Sequence, residues 1–137
     1  MNWKLIFTLS LFGLAMAIAT VYWIPGNIEF GFWLPVFIIC AYFIAKNCTS
    51  RYFLHGFLVS IVNCIWVTSA HILLYHTYIA NHAQEAEMMG QLPAPMNIHP
   101  RLMMAVMGPI VGIISGLILG LFAWIASKLV KKSVQVS

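Results

Sequence analysis

Four long apolar runs, whose cores carry no charged side chain, constrain this chain more than any other feature. A helix that crosses about 30 Å of hydrocarbon needs about 20 mostly apolar residues. Runs of that kind extend from about 5 to 24, 28 to 45, 52 to 79 and 101 to 130. Inside lipid every backbone N–H and C=O must find a partner within the segment, and for single runs this selects the α-helix. Composition agrees, with 62% of the 137 residues hydrophobic and 7% charged, where a soluble domain carries about 25% charge. The expected fold is a single all-α membrane domain over residues 1–137, four transmembrane helices in an antiparallel bundle.

At the N-terminus, Lys4, the apolar run Leu5 to Ala15 and Ala15-Met16-Ala17 have the form of a secretory signal with a small-residue cleavage site. The apolar stretch continues through Ile18 to Ile24, which is long enough to span, so it is read as the first helix.

Loop charge sets the expected orientation, because cytoplasmic loops carry the excess of Lys and Arg. Lys4 precedes the first span, Lys46 and Arg51 flank the second loop, and Lys128, Lys131 and Lys132 follow the last span. The first loop holds only Glu29, and the third holds Glu85 and Glu87 with Arg101 at its far edge. Both termini are therefore expected on the cytoplasmic side of the plasma (inner) membrane. Trp3, Trp23, Trp33 and Trp124 stand near the expected interfaces. Basic residues scattered at the ends of apolar runs argue against a nucleic-acid surface. The three cysteines make no disulfide framework, since two lie in apolar runs and Cys48 falls in a loop assigned to the reducing side.

The first two loops are short, which makes spans one to three antiparallel neighbours. Pro25-Gly26-Asn27 is a turn signal, and Pro35 is expected to kink the second span. The helical pattern of the third span continues through Ala80 to Met89, before Gly90, Pro93 and Pro95. At about 1.5 Å per residue, Tyr52 to Met89 would be about 57 Å long. The third helix is thus expected to project beyond the membrane on the outer side, into a loop of about residues 80–100.

Two patterns could carry function. Gly108, Gly112, Gly116 and Gly120 form overlapping G-x-x-x-G units, which strip one face of side chains so that another helix can approach closely. The expected partner is span one, where Gly13 with Ala17 offers a small face, and a second copy of the chain is the alternative. Pro109 should bend or loosen the outer end of that helix. On span three, Ser60, Cys64, Thr68, His71, Tyr75, Tyr78 and His82 share a face at about 100° per residue, with Asn63 at its edge. A polar stripe on a spanning helix must face protein or water. It serves either interhelical hydrogen bonding or a polar cavity opening outward, with His71 at the floor and His82 near the mouth.

His82, Glu85 and His99, near soft Met88, Met89, Met96, Met103, Met104 and Met107, suggest outward-facing copper or zinc binding, although no pair has the spacing of a known metal motif. Ser60 and His71, about 16 Å apart along one helix, cannot act as nucleophile and base. No P-loop, G-x-S-x-G or H-E-x-x-H occurs, and no catalytic residue or cofactor is expected. Residues 5 to 24 contain no carboxylate, which weakens proton-coupled transport as a reading. The reading is a small non-catalytic membrane protein acting by helix–helix association, as an accessory subunit or homo-oligomeric scaffold. Its partners would be the lipid bilayer and other copies or membrane subunits. A small-solute or metal-ion transporter or channel on the third helix is the alternative.

Overall fold

A computed structural model describes residues 1–94, 97 and 99–130 and is helical throughout its regular elements. The elements are α1 (Trp3–Tyr22), α2 (Gly26–Asn47), α3 (Tyr52–Leu73), α4 (Tyr75–Asn81), α5 (Ala83–Gln91) and α6 (Pro100–Leu129). Helices α1, α2, α3 and α6 are long and apolar enough to cross a membrane. Lys131, Lys132, Pro95 and Met96 lie outside the described residues. Asn2 caps α1, its side chain accepting from the Leu5 N–H at 3.1 Å. Pro100 opens α6, where its missing N–H has no helical partner to lose. Pro35 and Pro109 both sit inside helices that continue past them.

Helix α3 is the hub. Its most extensive contact is with α6, and the next is with α1. Asn63 meets Gly13, His71 meets Thr20, and Asn2 meets His55, so α1 and α3 run in the same direction. Helix α6 runs the other way, with Gly108 against Thr68 and Gly120 against Phe53. This corrects the expected partner of the glycine stripe. A Cβ at Gly112 would lie 2.7 Å from Cys64 Sγ, and one at Gly116 would lie 2.8 Å from the Phe57 ring. The stripe admits α3 rather than α1, because α3 sets bulky and polar side chains on that face and needs a bare backbone opposite.

The second correction concerns α2. Despite its short loops it touches α1 and α3 only thinly and rests mainly on α6. Its buried residues are Cys40, Ala41, Ile44 and Ala45, all in its second half. They join Ile6, Leu9, Val59, Leu119 and Ala123 in one apolar core at the end where α1 and α3 begin and α6 finishes. The opposite half of α2 stands off the other helices. The molecule is packed shut at one end and splayed at the other.

The third correction is the expected continuous helix from Tyr52 to Met89. The chain turns at Leu74, where the ladder carries on through Leu74 N–H to Ala70 O (2.8 Å) and Tyr78 N–H to Leu74 O (2.8 Å). It is interrupted at His82 (φ −130°, ψ 71°). There the ring Nδ1 takes the Tyr78 carbonyl at 2.8 Å, the acceptor that the His82 N–H would use in a continuing α-helix, and the N–H turns to Ile79 O at 3.3 Å. A side chain has replaced the backbone in the ladder, as local polar side chains can. Membrane-length α3 therefore ends at Leu73, and α4 and α5 fold over the splayed end rather than projecting as one rod.

Candidate functional site

The splayed end encloses a cavity of about 580 Å³. Helix α2 contributes Glu29, Phe30, Trp33 and Phe37, and α3 contributes Ser60, Asn63, Thr68 and His71. Helix α6 adds Met104, Met107, Ser115 and Phe122, while Tyr78 of α4 and Met89 of α5 cover the top. The cavity exists because the glycine stripe draws α6 onto α3 while α2 leans on α6, which leaves a wedge between α2 and α3. Phe37 and Phe122 meet edge to face at its deep end, with centroids 6.4 Å apart at 88°.

The polar groups differ in how far the protein satisfies them. The Thr20 hydroxyl donates to Ala17 O at 3.1 Å and so accepts from His71 Nε2–H at 3.0 Å. The Cys64 thiol donates to Gly108 O at 2.8 Å across the α3–α6 contact. Asn63 is the exception. It is 3% exposed and packs its amide against Gly13, yet neither Nδ2 nor Oδ1 has a hydrogen-bond partner. Such an orphaned pair costs on the order of 1–3 kcal/mol, and buried polar groups are normally paired.

Two acids stand at the mouth. Glu29 Oε1 accepts from Trp33 Nε1–H at 2.9 Å. The Glu85 carboxylate lies against Gly26, where a side chain would otherwise stand, at the start of α2. The absent Cβ admits it, and the positive end of the helix favours it. Tyr78, beyond the end of membrane-length α3, is stacked between His71 (4.3 Å) and His82 (4.2 Å). Burial, and then the charges of Glu85 and Glu29, push its hydroxyl up to about 12.

The sequence-derived candidates divide accordingly. Ser60, Asn63, Thr68, His71 and Tyr78 come together on the cavity, as the shared face of the third span implies. Tyr75 does not. It lies under the Arg101 guanidinium (5.3 Å) and shares a separate surface recess with His99. His82 is 2% exposed and clasps the chain, with Nδ1 on Tyr78 O and Nε2 on Ile24 O at 2.9 Å. Each ring nitrogen faces a carbonyl, and the tautomer decides which contact carries the hydrogen. His82, Glu85 and His99 thus go three ways. Among the described residues no group of three His, Cys, Asp or Glu side chains could hold a metal ion. Gly108, Gly112, Gly116, Gly120 and Gly13 all lie against α3, and Ala17 is fully buried on α1.

Sequence reasoning missed the α2 wall. Glu29, Trp33 and Phe37 recur every fourth residue and share one face, but the sequence analysis assigned no role to that face. Comparison with protein-family models, curated proteins and solved structures finds no match to this chain.

Proposed function

We propose that the protein is a multi-pass plasma (inner) membrane protein that binds a small solute on the polar face of α3 and passes it between the cavity and the outer side. One observation carries this reading. The cavity at the splayed end is lined by the stripe of Ser60, Asn63, Thr68 and His71, with Glu29 and Tyr78, among mainly apolar walls. A cavity of about 580 Å³ falls within the range of about 300–1,000 Å³ typical of small-molecule sites, and sparse polar groups in an apolar pocket fix a ligand's orientation. The basic residues at the packed end, Lys4, Lys46, Arg51 and Lys128, support placing that end and both termini in the cytoplasm. The splayed end would then face outward.

Association as an accessory subunit or homo-oligomeric scaffold has lost its main support. Gly112, Gly116 and Gly120 are buried against α3 of the same chain, so they are not a bare face for a second copy. The exposed apolar side chains of α6, among them Ile110, Ile114, Leu117 and Leu121, form the surface that lipid contact requires.

The test uses the purified full chain and a set of radiolabelled amphiphiles of each charge type, followed by release from loaded liposomes. Binding and release should both be lost in the double variant Asn63→Leu with His71→Phe, which keeps side-chain bulk. Release at the wild-type rate from that variant, or no binding to the wild-type chain, overturns the proposal.

A further inference from the structure

Given the reading of this cavity as a ligand site, its lining also specifies the ligand's charge. Glu29 is the only Asp, Glu, Lys or Arg among the described lining residues. Glu85 adds a second carboxylate against Gly26, which itself lines the cavity. Each basic group held over an aromatic ring is elsewhere: Lys46 on Tyr42, Arg101 on Tyr75 and Lys128 on Trp124. Among the described residues no ion pair neutralises either acid. The partners present are the Trp33 indole on one Glu29 oxygen and the start of α2 beside Glu85.

The field of a carboxylate at the rim of an apolar space is weakly screened inside that space. An anion is repelled there. A neutral guest gains nothing from the charge, whereas a cation both relieves the carboxylate and meets aromatic faces. Trp33, Phe30 and Tyr78 line the same end of the cavity as Glu29, and such rings attract a cation placed over them within about 6 Å. Below them the walls turn to Phe37, Phe122, Met104 and Met107, which suit an apolar body and leave a second charge without a partner. Ser60 and Thr68 border the same space and give the apolar body polar neighbours on the α3 wall.

We propose that the cavity takes an amphiphilic organic cation, with its charged centre beside Glu29 and its apolar body between α2 and the methionines and phenylalanine of α6. The occupant is a monovalent cation of mainly aromatic or aliphatic bulk. A hydrated metal ion, which would face a largely apolar wall, does not fit.

The experiment compares three probes of similar build on the full chain in an uncharged detergent: tetraphenylphosphonium, tetraphenylborate and triphenylphosphine oxide. Equilibrium dialysis against protein-free micelles removes partitioning. Tetraphenylphosphonium should bind at least about tenfold more tightly than either other probe. Glu29→Gln should weaken it about tenfold without changing the oxide, and Glu87→Gln, an equal charge change on exposed α5, should change neither. A preference for the borate or the oxide overturns the cation assignment while leaving a ligand cavity standing, and so does a Glu29→Gln protein with undiminished phosphonium binding. Absence of binding by all three overturns the cavity reading as well. The comparison of probes on the wild-type chain decides the charge even if Glu29→Gln does not fold.

Discussion

At the scale of single residues, the glycines separate by what surrounds them. A Cβ at Gly56 would lie 2.6 Å from Leu119 O and 2.9 Å from Gly120 Cα. Backbone cannot step aside as a side chain can, so Gly56→Ala must push α3 and α6 apart. Gly31 has nothing within 4 Å of that position. The expected outcome is a loss of about 1–3 kcal/mol for Gly56→Ala, the usual cost of overpacking. Gly31→Ala should instead gain about 0.5–1 kcal/mol from helix propensity, both measured by unfolding in mixed micelles. Asn63 makes the complementary case. Replacing its unpaired amide with Leu removes a desolvation cost of about 1–3 kcal/mol, so Asn63→Leu should raise the unfolding midpoint while weakening ligand binding. The glycine spacing was legible in the sequence, but its partner was not, because a bare stripe says only that something approaches closely.

Among the elements, α2 and the α3–α5 segment departed furthest from expectation, for different reasons. Short loops bring helix ends together, but they do not make the helices pack along their length. The second half of α2 carries Cys40, Ala41, Ile44 and Ala45 on one buried face, while its first half offers Phe30, Trp33 and Phe37 to the cavity. Spacing alone gave no sign of the difference. The interruption at His82 depends on one ring reaching two carbonyls, of Tyr78 and Ile24, and the second lies 58 positions away. No local pattern encodes that. His82→Phe would keep the stack on Tyr78 and lose both hydrogen bonds, with an expected cost of about 2 kcal/mol and a shift of α4 and α5 toward a continuous helix. Trypsin sensitivity at Arg101 and the unfolding midpoint would report it. Tyr78 gives a pH signature. Burial, then Glu85 and Glu29, raise its hydroxyl from the usual phenol value to about 12. The folded state therefore favours the neutral phenol. The stability this contributes is fully present below pH 10 and is lost as the pH rises toward 12. An absorbance titration, with Tyr78→Phe to assign the step, should show Tyr78 ionising near 12, and lower in Glu29→Gln. An unshifted step in that variant would place Glu29 away from the ring.

Over the whole molecule, composition and hydropathy were enough to read four apolar helices, and the periodicity of the third span was enough to gather most of the cavity's polar floor. The cavity itself was not legible. It is the space left when α6 is drawn onto α3 by Gly108, Gly112, Gly116 and Gly120 while α2 is held only at its far end. On the proposed reading stability and function divide along the length of the bundle, with a packed end that folds the chain and an open end for the guest. Filling the wedge tests that division most directly. Val67 lies on the cavity wall between Asn63 and His71 and is half-buried, so Val67→Trp places bulk in the space without touching the glycine contacts. The expected outcome is a folded protein, with the helicity of the wild type, that no longer binds tetraphenylphosphonium. Undiminished binding by a folded Val67→Trp protein would contradict it.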